Sequence, residues 1–231
     1  MSSGIFDDPA RAAAVAVART RVQAGMTLGL GSGRAVFALV EALASKWRGN
    51  PPLRAVVASR ATGELAEAAG IELLALDDGV ELDLAVDGAD EVDRDLGLIK
   101  GGGAALLHEK LVFAAARRVV VVAEAAKYVD RLGAGVRLPV EVVRFGWAQT
   151  RRRLLGLVPA AELRRTPTGE PLATEEGHYL LDCAVPPGDL GELAAALKAT
   201  LGVVEHGLFL GMADEVILGR SDGSVRLLRR P

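Results

Sequence analysis

The sequence predicts an α/β fold: a Rossmann-like, doubly wound and mostly parallel sheet with a second, smaller α+β domain. Three observations carry this. Short apolar strands alternate with helical stretches through the first part of the chain, the pattern of successive βαβ units. Residues 119–123 form a continuous apolar, β-branched run, as expected of a strand buried on both faces of a parallel sheet. Beyond about Arg137 the texture changes to strand-like alternation broken by turns. The smaller domain is therefore placed at 135–204, and the larger at 1–134 plus 205–231.

In order, Asp8 caps a helix that has Pro9 in its first turn and runs to about Val22. Residues 26–30 form a strand that ends in GLGSG (29–33), and a helix follows to about Trp47. A strand, a glycine loop and a helix make the general phosphate cradle. It is not the dinucleotide pattern, because Arg34 stands where a further glycine is needed. Residues 53–58 are a strand leading to Ser59, Arg60, Ala61 and Thr62, with a helix to Ala69 and Gly70 as its stop. Residues 71–76 are another strand, and 77–79 a turn.

The central unit, residues 82–118, reads LDLAVDGADEVDRDLGLIKGGGAALLHEKLVFAAARR. A strand at 82–86 runs into an acidic turn with Asp87 and Asp90. The loop of Lys100, Gly101, Gly102 and Gly103 follows, then a helix carrying Glu109 and Lys110. Strand ends of open α/β sheets bind ligands, and successive glycines leave backbone N–H groups free to hold an anion. This is a site for a small anionic molecule. A metal reading of Asp87, Asp90, Glu91 and Asp93 competes, since divalent ions favour clustered carboxylates. The spacing is not that of a calcium loop, Lys100 already supplies positive charge, and His108, His178 and His206 lack zinc spacing. No metal and no cofactor are expected.

In the later part, residues 138–147 and 171–183 read as strands, Pro159 breaks a helix, 166–169 is a turn and 190–201 a helix. The segments GVVEHGLF and ADEVILGR read as strands returning to the first domain.

Composition narrows the function classes. With 231 residues the chain can bury a full α/β core. A net charge of −3 leaves no electrostatic case for nucleic acid. The short clusters Arg151, Arg152, Arg153 and Arg164, Arg165 read as solvated faces. The single cysteine, Cys183, excludes an internal disulfide and fits a reducing compartment. Asp7 and Asp8 stand where a signal peptide would carry positive charge, and no apolar run approaches the roughly 20 residues that span a bilayer. A soluble, cytoplasmic protein with no membrane partner is expected.

VDGADEVD and IKGGGAALLHEK resemble the two signature segments of ribose-5-phosphate isomerase, type A. GLGSG, KYVDRLG, PVEV and GVVEHGLF match further family segments in the right order. The resemblance implies an aldose–ketose isomerase that interconverts D-ribose 5-phosphate and D-ribulose 5-phosphate through an enediolate, in the non-oxidative pentose phosphate pathway. It also implies a metal-independent enzyme that forms a homodimer or tetramer. Carried onto matching positions, Glu109 is the base, Lys100 stabilises the enediolate, and Asp87 and Asp90 handle sugar hydroxyls and ring opening. Ser32, Gly33, Arg34, Ala35, Gly88, Ala89, Gly101, Gly102, Gly103 and Lys127 complete the substrate site.

Several positions carry two readings. The family pattern near the first loop is closer to GxGTGST, so Arg34 and Ala35 replace a serine and a threonine. Either the Arg34 guanidinium binds phosphate bidentately, or it points to water and substrate choice has drifted toward another phosphorylated sugar. Arg11 stands where the family often has a phosphate-holding lysine; otherwise it is an exposed helix charge. Ser59 and Thr62 line the site or cap a helix, and Lys127 contacts substrate or is a surface charge. His108 replaces a common arginine; helix neighbours do not share a face, so it should point away from substrate, to the surface. A non-catalytic sugar-phosphate sensor is the rival class, although such a protein could lose Glu109 or Lys100 and both are present.

Overall fold

A computed structural model describes residues 8–77 and 79–230. Asp7 and Asp78 lie outside them; at the turn expected over 77–79, Val80 N–H donates to Asp77 O at 3.3 Å. Helix α1 (Pro9–Arg19) begins where the Asp8 carboxylate accepts from the N–H groups of Ala10 and Arg11, and its alanine-rich face is buried. There follow β1 (Thr27–Leu30), α2 (Arg34–Lys46), β2 (Arg54–Val57), α3 (Arg60–Ala68), β3 (Glu72–Leu73) and β4 (Leu84–Asp87). Strand β3 keeps only two of the six residues expected, because it lies at the sheet edge with β2 as its sole neighbour.

After β4 comes a hairpin that the sequence did not disclose, β5 (Glu91–Val92) and β6 (Leu98–Ile99). Its turn is held by the Asp93 carboxylate, which accepts from the N–H groups of Asp95 and Gly97. The chain continues through α4 (Leu106–Ala114), β7 (Val119–Glu124), β8 (Leu138–Val142), α5 (Trp147–Leu154), β9 (Ala161–Leu163) and β10 (Tyr179–Cys183). It closes with α6 (Leu190–Ala199), β11 (Val203–His206), β12 (Leu208–Phe209), β13 (Glu215–Gly219) and β14 (Val225–Arg229).

The main sheet has the order β14-β13-β7-β4-β1-β2-β3, parallel throughout except for the β13–β14 hairpin. From β1 the chain winds outward to β3, then returns to the other side of β1 as β4. The winding direction thus reverses between β1 and β4, and the crevice beyond their C-terminal ends is where such sheets bind ligands. One face packs under α1, α2 and α3, with Leu30, Leu39 and Leu43 fully buried. The other packs under α4 and the hairpin, around Leu98, Phe113 and Phe209.

A smaller antiparallel sheet, β11-β8-β10-β9, carries its own core of Val140, Leu181 and Leu197. The segment 143–147, expected as strand, is not: β8 ends at Val142, and Gly146 at φ +70° turns the chain into α5. In 171–183 regular strand begins only at Tyr179. The chain crosses back at Gly207, and β12 joins β6 in a three-stranded sheet, β12-β6-β5. Among the described residues no helix is long and apolar enough to cross a membrane.

Glu91 on β5 ties these layers together. It is buried, and its carboxylate accepts from the N–H groups of Gly133 (2.5 Å), Gly135 (2.5 Å) and Val136 (3.0 Å) on the segment leading into β8. Glu91→Ala strands three donors and should lower the unfolding free energy by about 3 kcal/mol in a urea titration. A loss under about 1 kcal/mol would mean that water replaces the carboxylate.

Candidate active site

Three segments meet beyond β1 and β4. The first is the glycine loop after β1. Asp87, the last residue of β4, packs against Gly31 so closely that a Cβ there would lie 1.8 Å from its carboxyl carbon. Only glycine leaves room. Asp87 Oδ1 accepts from the N–H groups of Ser32 (3.1 Å) and Gly88 (2.7 Å). Gly33, at φ +92°, opens α2 without a side-chain cap, so the first N–H groups of that helix remain available to an anion. Ser59 and Thr62 are buried behind this loop. Ser32 Oγ lies 2.9 Å from Ser59 Oγ, Ser59 Oγ caps Thr62 N–H, and Thr62 Oγ1 donates to Gly31 O at 2.8 Å. They cap α3 and brace the loop; neither lines the pocket.

The second segment brings Lys100. Its backbone N–H donates to Gly207 O, and its side chain is 4% exposed. Nζ donates to Gly88 O at 2.7 Å and lies 2.8 Å from Asp87 Oδ2 and 3.2 Å from Glu109 Oε2. Neither of these two oxygens receives a well-directed hydrogen bond, so their contacts with the ammonium are ionic. The rings of Phe113 and Phe209 stand 5.8 and 5.6 Å from Nζ.

Burial alone would discharge Lys100, but Asp87 and Glu109 outweigh it and hold its pKa above the usual value. For Glu109 burial acts first and Asp87 second; both disfavour its charge, and the pKa is pushed up to about 8 against the pull of Lys100. Burial also raises Asp87, opposed by Lys100 and by its two backbone donors. Those two backbone donors favour the charged form of Asp87.

The third segment is the wall that carries Arg11, Glu124 and Lys127. Lys127 donates to Ala89 O at 2.7 Å and pairs with Glu124. Arg11, 4% exposed, donates to Glu124 Oε1 at 3.0 Å, which overturns its reading as an exposed helix charge. Burial works against the Glu124 charge, but Lys127 and Arg11 keep its pKa below the ordinary value. Arg34 is exposed at the pocket edge and has no ion-pair partner among the described residues.

Together these groups bound a pocket of about 320 Å³. Ser32, Gly33, Arg34, Ala35, Gly88, Ala89, Asp90, Lys100, Gly101, Gly102, Gly103, Glu109 and Lys127 all line it. Asp87 does not. It is fully buried beneath Lys100, so the geometry puts it behind the ammonium rather than at sugar hydroxyls. Asp90 is on the wall, its Oδ2 accepting from Gly102 N–H at 2.8 Å. His108 points away from the pocket, as expected, but it is not a free surface group: Nδ1 lies 3.3 Å from Ala58 O and Nε2 2.9 Å from Glu176. Among the described residues no cluster of three or more His, Cys, Asp and Glu side chains could hold a metal ion. Glu91 and Asp93 spend their oxygens on backbone amides elsewhere.

Sequence reasoning missed two members. Glu124 is the last residue of the buried strand β7 and carries no motif signal. Arg164, expected on a solvated face, has a side chain only 15% exposed that reaches the carbonyls of Gly101 and Gly102.

The family model for ribose 5-phosphate isomerase A (phosphoriboisomerase A) matches residues 54–223. A ribose-5-phosphate isomerase A from Synechococcus is 46% identical over 94% of this chain and 95% of its own length. The chain belongs to the ribose 5-phosphate isomerase A family. One from Caulobacter vibrioides is 48% identical over 96% and 98% of the two chains. The ribose 5-phosphate isomerase structure from Plasmodium falciparum superposes with a TM-score of 0.88 at 31% identity, covering 95% of this chain and 99% of that one. That from Methanocaldococcus jannaschii gives 0.89 at 30% identity, covering 95% and 98%. This isomerase acts on ribose 5-phosphate, which sets aside the sensor reading and the one of another phosphorylated sugar.

Gly31→Ala should displace Asp87, and Lys100 with it. An error of that size in catalytic geometry costs about 100-fold in kcat, with the circular dichroism spectrum unchanged. Activity within threefold of the parent, roughly the noise of such a comparison, would show that Asp87 moves aside harmlessly.

Proposed function

We propose that Glu109 is the base that carries the proton between the two carbons of ribose 5-phosphate, with Lys100 holding the enediolate charge. The carrying observation is the pairing itself: a buried carboxyl with a pKa of about 8 beside a lysine that stays protonated. A base works best when its pKa is near the operating pH. Glu109 takes the proton from C2 of the open aldose. The electron pair moves onto the carbonyl oxygen, which Lys100 and the open N–H of Gly103 meet. Asp90, on the wall, passes the hydroxyl proton and assists ring opening, and Glu109 returns its proton to C1.

The phosphate end is formed by Arg11, Arg34, Lys127 and the uncapped start of α2. A related isomerase structure, 32% identical with a TM-score of 0.90 and covering 95% of this chain and 97% of that one, is described in complex with phospho-erythronic acid. That acid carries a phosphate at one end and a carboxylate at the other, the charge layout of a sugar-phosphate enediolate. Arg34 restores, as one guanidinium, the donors that a serine and a threonine would supply.

We read the assembly as a homodimer of cytoplasmic chains. Phe145, 93% exposed, stands with Val143 and Leu201 at one end of the smaller sheet, an apolar group that a second copy would cover.

The log of kcat/KM should climb by about one per pH unit toward pH 8 and then level, since only ionised Glu109 accepts a proton. Glu109→Gln should lose about 10³-fold in kcat and flatten that profile. Stability gives a second readout. The folded pKa of about 8 lies above the unfolded value of 4.5. The Glu109 contribution is therefore fully present below 4.5 and fades as pH rises toward 8. The Gln variant should lose less stability than the parent between pH 5 and 8; equal slopes would remove Glu109 as the titrating group. Arg34→Ala should raise KM about tenfold with kcat nearly unchanged, and an unaltered KM would take Arg34 out of the phosphate site.

A further inference from the structure

Arg164 follows β9, and its guanidinium crosses from the smaller sheet to the glycine loop of the active site. Nε and Nη2 hold the two oxygens of Asp182 on β10 at 2.9 and 2.5 Å, a forked geometry that fixes the direction of the remaining nitrogen. That nitrogen, Nη1, donates to Gly101 O at 2.7 Å and to Gly102 O at 3.2 Å. In a trans peptide the carbonyl and the N–H that follows it point in opposite directions. Drawing these two carbonyls toward Arg164 therefore turns the N–H groups of Gly102 and Gly103 the other way, to the pocket side. Gly102 N–H meets Asp90 Oδ2 there. Gly103 N–H has no hydrogen-bond partner among the described residues, and Gly103 lines the pocket. Local restraint on this arrangement is slight: one turn hydrogen bond runs from Ala104 N–H to Gly101 O at 3.1 Å, three glycines have free rotation, Gly101 sits at φ +107° and Ala104 at φ +64°, and α4 lacks a side-chain cap.

We propose that Arg164 is a positioning residue for the isomerisation, aiming Gly103 N–H and, through Gly102, the Asp90 carboxylate at the reacting end of the sugar phosphate. The inference rests on the assignment of Lys100, Glu109 and Asp90 to that end. The positive charge on the carbonyl side also polarises both peptides, which strengthens their N–H groups as donors. The Arg164–Asp182 pair thereby makes the smaller sheet part of the catalytic apparatus without touching substrate.

Three variants test this: Arg164→Met, which keeps the apolar stem and removes the donors, Arg164→Lys, and Arg165→Ala as neighbour control. Removing a donor to a developing oxyanion costs about 100-fold in kcat, so Arg164→Met should fall by that order while KM stays within about threefold. Arg164→Lys should fall between, and added guanidinium should recover part of the lost rate in Arg164→Met. Affinity for phospho-erythronic acid should drop in parallel with kcat/KM, while affinity for inorganic phosphate stays put. Arg165→Ala, which removes a guanidinium that donates to Gly169 O, should match the parent. If Arg164→Met does not fold, Asp182→Asn, which loosens the fork, should give a smaller loss with the same split between kcat and KM. Parental kcat in Arg164→Met, or equal losses of affinity for the acid and for inorganic phosphate, would overturn the proposal. Glu109→Gln in the same assay separates the two readings, because retained activity there sinks the reacting-end assignment whatever Arg164 does.

Discussion

Lys100 carries its charge where water cannot help. An ammonium taken out of solvent loses several kcal/mol of hydration, and here the loss is met by Asp87 on one side, Glu109 on the other and the carbonyl of Gly88. Two carboxylates against one ammonium leave an excess negative charge in a dry, aromatic-walled space. Burial raises the pKa of both carboxyls, of Asp87 against its two backbone donors and of Glu109 to about 8. Much of the surrounding structure is an accommodation of this triad. Gly31 yields its side-chain volume to Asp87, and Gly207 yields its own to the backbone of Lys100, where a Cβ would lie 2.2 Å from the carbonyl oxygen.

The opposite end of the pocket applies the same electrostatics with the sign reversed. Glu124 is a resident carboxylate that Arg11 and Lys127 share. It holds both cations in place before an anion arrives, so less side-chain entropy is lost on binding. The Lys100 end thus sets two carboxyls against one ammonium, while the end at Arg11 and Lys127 sets two cations against one carboxylate.

The smaller sheet and the strand that returns from it bear on the site through two cations. Arg164 grips the glycine loop from outside. Lys110, next to Glu109 on α4, donates to Glu205, to His206 O and to Leu208 O, which fastens the helix to the returning chain. Burial lowers the pKa of Lys110, although Glu205 opposes it. Its neighbour Glu109 lines the pocket.

The chain's local order was readable without coordinates. The alternation of strands and helices, the buried run at 119–123, the Asp8–Pro9 helix start, and the glycines at strand ends all act over a few residues, where backbone sterics and hydrophobic periodicity decide. The order of the motifs likewise marked Lys100, Asp90 and Glu109 as neighbours in a site. Tertiary structure decided the rest. It sank Asp87 beneath the lysine, drew Arg11 into an ion pair with a strand 113 residues away, and sent Arg164 across 63 residues to Gly101. It also built the β5–β6 hairpin, which exists because β12 returns to pair with β6. A charged side chain has no local signal for which distant group will desolvate or neutralise it. Its burial, its pKa and its role are properties of the packed chain, because electrostatic energy depends on the whole surrounding dielectric and on charges the sequence places far apart.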